Sequence, residues 1–484
     1  MSKRRTTLPL LLPLILIARL PVHAQEKWDL KRCVDYAVAN NISIKQADVQ
    51  ARLAKLTTEQ SQWNQVPTLS LGSQLGIKSG NTQNPNTYAL STQTYKLNDW
   101  QLQSSVTAFN FFSIRRSIEA NRLAWQAALA NSDKTKNDIS LNVANAYLQV
   151  LLAMEQTDAA HLQLQLSQNQ LDLTRKQVNA GTLPELNAAE LESQVAQDSA
   201  TYITAKGSVT QNILQLKAYM DLDAGTPFDV YAPPVEDIPI ENLADLQPEG
   251  VYALALVNQP LQKLDALNVA SAHKLVQANK GAMYPTFSIV GSLGASWISP
   301  YPESILSKPP SITTDTLYAF RQVGSNSVFV EDVPTYPTKN TPYFSQLHQT
   351  FNQFVGLSVN VPILNNGTLR IAYAKSKLNL RNQELQRDQD NLTLKNNIYL
   401  AYTAAITALQ KFEANKITVT ATQKSYEYAK KRYDIGMSNT IDLLTNENNF
   451  GNARINLLSS QFDYVFKMKV LEYYKGMGIK LTKD

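Results

Sequence analysis

Only one cysteine, Cys33, occurs in 484 residues, so no intramolecular disulfide can staple the fold and packing must hold it together. Long apolar runs are equally scarce. Past the stretch Leu8 to Leu20, no segment offers the 18 or more consecutive apolar residues of a membrane-spanning helix, so any crossing of a bilayer is left to strands. Histidine is rare too. His161, His273 and His348 stand in three separate segments with no Cys, Asp or Glu at metal-ligand spacing. No nucleophile, base and orienting group can be assembled from any motif. The sequence therefore argues against an enzyme and calls for neither a metal nor another cofactor.

What is present begins with Lys3, Arg4 and Arg5, then the apolar run, then Val22-His23-Ala24, whose small residues suit a signal-peptidase cut after Ala24. Residues 1–24 read as a signal peptide. Its removal takes away Lys3, Arg4, Arg5, Arg19 and no acid, lowering the net charge from +5 to +1, so the basic balance is no argument for nucleic acid. Cys33 lies past any lipobox position and reads as a small buried helix residue.

The chain carries an internal duplication. Val66-Pro67-Thr68-Leu69-Ser70-Leu71 recurs as Tyr284-Pro285-Thr286-Phe287-Ser288-Ile289, and Asn41-Ile42-Ser43-Ile44 resembles Asn258-Gln259-Pro260-Leu261, at an offset of 217 to 218. Ala146-Tyr147 recurs as Ala401-Tyr402, Gly181 as Gly436, Glu192 as Glu447 and Tyr219 as Tyr474, at an offset of 255. Between these sets the second copy has grown, in the Pro-, Ser-, Thr- and Tyr-rich stretch Ser299 to Thr350 that stands where copy one has Ser79 to Asp99. Both stretches read as polar loops. Pro227, Pro233, Pro234, Pro239 and Pro248 forbid a long helix in the joining segment, 221–250.

Repeat 1 is thus 25–220, with strands near 66–78 and 99–109, a long helix over 113–180 and a return helix over 184–220. Repeat 2 is 251–484, with strands near 285–297 and 353–362 around the loop 299–350, a long helix over 368–435 and a return helix over 439–475. The fold class is α+β, mostly α.

Alternation marks the strands. Leu69, Leu71, Leu75 and Ile77 interleave with Thr68, Ser70, Gln74 and Lys78, and Trp100, Leu102, Val106 and Ala108 with Gln101, Gln103, Ser105 and Thr107. Phe287, Ile289, Leu293 and Trp297 interleave with Thr286, Ser288, Ser292 and Ser296, and Val355, Leu357, Val359 and Val361 with Gly356, Ser358 and Asn360. Such segments suit a membrane barrel, with lipid on one side and a lumen on the other, and equally a half-buried soluble sandwich. On the membrane reading every backbone group must be paired by closure, yet four strands are fewer than the roughly eight of the smallest single-chain barrels. Several chains would then share one barrel.

Ser113 to Ala180 and Thr368 to Ile435 contain neither Gly nor Pro. A continuous helix of that size is ~100 Å long, far beyond what a compact domain uses. Ile139, Val143, Ala146, Val150 and Ala153 form one apolar seam, and Leu141, Ala144, Leu148 and Leu151 a second on another face, as a tunnel wall needs for two neighbours. In copy two Ile398, Tyr402, Ala405, Leu409 and Phe412 keep one seam, while Leu394, Ala401, Ala404 and Ala408 lie closer to it. Plain core packing accounts for these stripes as well.

The repeated Pro-Thr-apolar-Ser strand, the entry Val359-Asn360-Val361-Pro362-Ile363-Leu364-Asn365-Asn366-Gly367 into the second long helix, and Tyr433-Asp434-Ile435-Gly436 before its return helix resemble the TolC-type outer-membrane efflux proteins. The resemblance covers almost the whole mature chain, twice and in order. It implies a homotrimer in the cell outer membrane, with a twelve-stranded β-barrel, four strands per chain, continued into the periplasm by an α-barrel of helical hairpins. It also implies an exit duct of a tripartite efflux or type I secretion system, partnered by a periplasmic adaptor and an inner-membrane pump of RND or ABC type, and bedded in outer-membrane lipid. Copy one departs in having Asn110-Phe111-Phe112-Ser113 where copy two has Asn365-Asn366-Gly367, and so loses a turn glycine.

By the same resemblance the turns Gly181, Thr182, Leu183 and Gly436, Met437, Ser438 are periplasmic tips that meet the adaptor. Gly after a helix also serves simply as its stop. Tyr433 matches an aromatic position of the entrance gate and Asp442 the first acid of a ring that narrows it, while Thr445 replaces the second acid and Ser438 a basic gating residue. The 255 offset sets Asn187 opposite Asp442 and Glu190 opposite Thr445. As alternatives, a periplasmic adaptor would carry one hairpin flanked by soluble β domains, and a coiled-coil envelope protein would have no use for polar strand faces.

Overall fold

A computed structural model describes residues 27–83, 90–232, 238–299, 302–304, 311–315, 331–335 and 338–476. The expected signal peptide lies outside them. The first repeat runs α1 (Leu30–Asn40), α2 (Ile42–Trp63), β1 (Thr68–Gln83), β2 (Leu90–Phe109), α3 (Ser113–Asn179) and α4 (Glu185–Met220). The second begins with α5 (Pro248–Asn258), α6 (Pro260–Gly281) and β3 (Thr286–Ser299). It continues through the short pieces β4 (Pro302–Ser304), β5 (Ser311–Asp315), β6 (Glu331–Thr335), β7 (Thr338–Asn340) and α7 (Tyr343–Gln349). It closes with β8 (Asn352–Asn360), α8 (Thr368–Asp434) and α9 (Thr440–Lys475). The duplication is metrical: α3 and α8 each have 67 residues, α4 and α9 each 36.

The chain divides into two compact units. One holds residues 1–50, 129–263 and 388–484 and is helical. Its larger core gathers Cys33 and Ala37 of α1, Val143, Tyr147, Val150 and Leu151 of α3, Leu216 and Met220 of α4, and Phe462 and Val465 of α9. Both α3 seams are therefore filled within the chain at this level, because Ala144 and Leu148 are buried beside Val143 and Ala146. A second core joins Leu246, Val251 and Ala255 to Leu394, Ile398 and Ala405 of α8 and Met468 and Leu471 of α9. Burial pushes the Cys33 thiol up to about 12, which leaves it a neutral packing group.

Equivalent polar clasps fasten both repeats. Asn41, between α1 and α2, accepts from Ser43 N at 2.9 Å and donates Nδ2 to the Tyr219 carbonyl at 2.9 Å. Gln259, between α5 and α6, donates Nε2 to the Tyr473 carbonyl at 2.9 Å. Each clasp ends one helix, starts the next and ties the pair to a return helix.

The other unit holds residues 51–128 and 264–387 and contains a four-stranded antiparallel sheet of order β1-β2-β3-β8. Its register sets Leu71 opposite Leu102 and Leu102 opposite Leu293, so the apolar residues of neighbouring strands gather on one face. That face is open: Leu75 is 77% and Val355 82% exposed. Where β2 approaches α3 the register shifts between Thr107 and Phe109, a bulge that turns Phe109 onto the apolar face beside Phe287.

Aromatic rings mark both ends of this face. Phe109 packs on Phe111, Phe112 and Phe287, and Phe111 stacks on Tyr284 at 4.8 Å. At the other end Trp297 meets Tyr343 at 5.5 Å, and Trp100 Nε1 donates to the Tyr343 hydroxyl at 2.9 Å. The strand between Trp100 and Phe109 is ~30 Å long. Tilted as barrel strands are, it spans a band of ~25 Å flanked by aromatic girdles. No described helix is long and apolar enough to cross a membrane.

Three features differ from the sequence expectation. Ser79 to Asp99 is not a loop over most of its length, because the β1–β2 ladder continues to Gln83 opposite Leu90. Polar cross-strand pairs such as Ser79 with Thr94 at 3.0 Å sustain it after the apolar alternation stops. The 299–350 segment contains paired short strands, β4 with β7 and β5 with β6, too brief to show a period. It also contains α7, whose Gln346 bonds both N and O of Ile298 at 2.9 Å while Thr350 Oγ1 bonds N and O of Ser296. These side chains satisfy the β3 edge above β8, which is why β8 can be short.

Third, the lost turn glycine of copy one does not change the turn. Phe111 (φ 51) and Phe112 (φ 63) adopt the left-handed backbone that Asn366 (φ 54) and Gly367 (φ 75) adopt in copy two. Their ring contacts offset a strain of ~1–2 kcal/mol per residue.

Lys469 and Glu472 of α9 form a buried ion pair at 2.7 Å, and Glu472 Oε1 also accepts from Glu241 N at 3.0 Å. Lys469→Ala strands that carboxylate in the core and should destabilise the helical unit by about 3–5 kcal/mol, whereas Lys469→Met with Glu472→Met should lose far less. Denaturant titration of both variants decides; equal losses would show that the pair's charge is irrelevant.

Candidate functional site at the two helix turns

Both long helices end in the same way. At the α3 terminus Gly181 N donates to Val178 O at 2.9 Å and Thr182 N to Gln177 O at 2.9 Å. At the α8 terminus Gly436 N donates to Tyr433 O at 2.9 Å and Met437 N to Arg432 O at 2.8 Å. These are two Schellman turns, whose paired bonds satisfy the last helix carbonyls and require a left-handed residue. Gly181 (φ 72) and Gly436 (φ 74) supply it. Around both glycines the space where a Cβ would stand is open, so the demand is conformational rather than steric.

The return helices start differently. In α4 Pro184 is the N-cap and makes no side-chain capping bond. In α9 Asn439 caps through Oδ1 to Asp442 N at 2.8 Å, which secures the first turn. Asp442 is exposed and carries its charge near the positive end of the helix. Ser438 donates its hydroxyl to Asp442 Oδ2 at 3.1 Å, so these two residues are brought together. Thr445 is not joined to them: its hydroxyl donates back to Ile441 O at 2.7 Å. Met437 lies exposed at the turn, and Arg432 Nη2 reaches its carbonyl at 3.4 Å. Leu183 is half-buried, and Thr182 folds its hydroxyl onto Gln177 O at 2.9 Å.

Tyr433 is half-buried, and its hydroxyl lies 3.4 Å from Thr174 Oγ1 on α3. Beside Thr174, Arg175 forms a two-nitrogen contact with Glu192 Oε1 of α4, at 2.5 Å through Nη2 and 3.2 Å through Nε. That carboxylate raises the Arg175 guanidinium above its ordinary value. Thr174, Arg175 and Glu192 were missed as site residues. Their positions carry no plain signal, because which faces of α3 and α4 meet depends on how each helix is rotated about its own axis. Asn187 and Glu190 are half-buried on α4. His161 packs against Tyr202 at 5.0 Å with the rings tilted by 36°, and no cluster of three metal-ligating side chains occurs among the described residues.

Gly436→Ala should weaken its turn by about 1–2 kcal/mol, with Gly436→Asn intermediate because Asn tolerates the left-handed region. Hydrogen exchange at the Met437 amide, which closes the turn, should accelerate roughly tenfold in the alanine variant. An unchanged rate would mean that the turn is held from outside.

Residues 33–221 and 339–465 match the family described as Outer membrane efflux protein. Outer membrane protein TolC of Salmonella enteritidis is 20% identical over 339 residues, 69% of this chain and 60% of that protein. TolC of Escherichia coli (strain K12) is 21% identical over 330 residues, 67% and 58% respectively. The chain thus aligns with less than two thirds of either TolC. Toxin and drug export protein A of Aggregatibacter actinomycetemcomitans is 18% identical over 440 residues, 90% of this chain and 83% of that protein. Among solved structures, the CmeC outer membrane channel of Campylobacter jejuni is similar in fold, with a TM-score of 0.71 at 16% identity over 94% of this chain and 87% of that one. With both repeats matched, the chain belongs to the outer membrane efflux protein family.

Proposed function

We propose that this protein is one third of a passive exit duct in the outer membrane. Three copies would share a twelve-stranded barrel, continued into the periplasm by their helical hairpins. The observation that carries the reading is the open sheet. Its outer strands β1 and β8 each have a single neighbour, and its apolar face is exposed between two aromatic girdles. In lipid such edges must be paired, and pairing β1 of one copy with β8 of the next closes the ring.

Two exposed heptad seams support assembly. Ile42, Val49, Leu56 and Trp63 recur every seventh residue along α2, and Ile371, Leu378, Leu385 and Leu392 along α8, each at least half exposed in the single chain. Seams of equal span and period suit helix-to-helix packing between copies. The polar sheet face, with Thr68, Ser70, Gln103, Ser105 and Ser292, would line the lumen, and the 299–350 segment would lie outside the cell.

The tips Gly181, Thr182, Leu183, Gly436, Met437 and Ser438 would dock a periplasmic adaptor, which links the duct to an inner-membrane pump of RND or ABC type in efflux or type I secretion. Toxins and drugs, the exports in the name of one relative, are candidate cargo. Tyr433, Ser438, Asp442 and Thr445 would form the entrance. There one carboxylate per copy, repeated around a threefold axis, concentrates cations. Nothing in the arrangement requires a cofactor or nucleic acid.

Mass measurement of the intact detergent-extracted complex should give three copies, and Leu56→Glu with Leu378→Glu should yield monomers. A wild-type protein that is monomeric and water-soluble would end the proposal. In planar bilayers Asp442→Asn should weaken the pore's cation selectivity; unchanged selectivity removes Asp442 from the entrance.

A further inference from the structure

Glu192 and Glu447 hold equivalent places in the two repeats, but their surroundings differ. Glu192 is exposed beside Arg175, whereas Glu447 is 4% exposed and accepts one hydrogen bond, from Gln163 Nε2 at 2.9 Å. A second buried acid, Asp198 of α4, lies close enough for its charge to act on Glu447. Around them runs a polar network across three helices. Gln194 Nε2 donates to Asp198 Oδ1 at 2.9 Å and to Asn448 Oδ1 at 3.1 Å, and Asn448 Nδ2 donates to Gln194 Oε1 at 3.1 Å. Ser167 Oγ contacts both the Gln163 carbonyl, at 3.1 Å, and Asp198 Oδ2. A cavity of about 360 Å³ adjoins the network, lined among others by Gln163, Gln194, Asp198 and Asn448.

The hydrogens can be counted. A serine hydroxyl has one, and here it faces two acceptors. It serves Asp198, and the Gln163 carbonyl keeps its backbone partner within α3. The hydrogen deficit therefore lies at Glu447, a buried carboxyl with one donor beside a second buried acid, and it closes when Glu447 carries a proton. We propose that Glu447, beside the buried Asp198, is a proton-binding group of the helical unit, and that release of its proton loosens the seam between α4 and α9. On the duct reading, on which this consequence rests, loosening the return helices widens the entrance beside the turns.

The charges facing the pair do not replace the proton. On α8 Lys430 opposes its retention and Tyr426 is neutral. On α9 Arg454 lines the cavity but lies over the Phe450 ring at 5.8 Å. The α3 side chains at the cavity are uncharged. Burial, and after it the Asp198 charge, pushes Glu447 from its ordinary 4.5 up to about 7. The folded state therefore holds a proton that the unfolded chain releases near 4.5. The network's stability is full below that value, falls as pH rises, and is lost above about 7.

The test compares wild type with Glu447→Gln, which keeps an amide in the network and lacks the charge, and with Asp463→Asn, a surface acid of α9 paired with Lys467. In planar bilayers wild-type conductance should rise severalfold between pH 6 and pH 8.5. Glu447→Gln should stay at the low-pH level, and Asp463→Asn should behave as wild type. An undiminished pH step in Glu447→Gln overturns the site. Hydrogen exchange over 190–201 and 444–455 in the detergent-extracted protein, corrected for intrinsic pH dependence, gives a readout independent of conduction. Exchange should quicken about tenfold at pH 8.5 in wild type and not in Glu447→Gln. No acceleration in wild type also overturns the site. Acceleration in a protein that conducts at no pH retains the site and sinks the duct.

Discussion

Backbone hydrogen bonding at the sheet's edges is the constraint on which the rest of this molecule depends. Within the chain β2 and β3 are paired on both sides, and the β3 edge beyond β8 is satisfied by Gln346 and Thr350. No comparable device covers β1 or β8 among the described residues. An edge with an exposed apolar face is a liability in water and prohibitive in lipid, where no solvent can satisfy it. A shared barrel removes the edge. It also gives the flanking helices their purpose, since the α2 and α8 seams then find partners that the single chain lacks.

The duplication shows how one plan is held by different chemistry. Asn41 and Gln259 make the same clasp with different reach. Phe111-Phe112 and Asn366-Gly367 make the same left-handed turn, one by ring packing and the other by intrinsic backbone tolerance. Glu192 and Glu447 have diverged most. Geometry is alike in the two repeats, while charge is free to differ: one of these carboxylates is exposed beside Arg175 and the other is buried.

Much of the candidate site was legible because its residues follow from chain direction. Gly181 and Gly436 announce helix ends. The Ser438–Asp442 contact needs only neighbouring residues. Tyr433 with Thr174, and Arg175 with Glu192, were not legible as pairs, since each joins separate helices whose rotation about their own axes is set by packing. Nothing in the sequence sets Asp198 and Glu447 apart from exposed helix acids, and only their burial singles them out.

The duplication, the two long helices and the alternating strands were determined by the sequence alone, because each is a periodicity or a composition that repeats over many residues. The tertiary structure decided how far the β1–β2 ladder runs, what closes the β3 edge, and which of two equivalent glutamates is buried. These depend on polar pairs and individual contacts between residues distant in the chain, whose energies leave no period for a sequence to display.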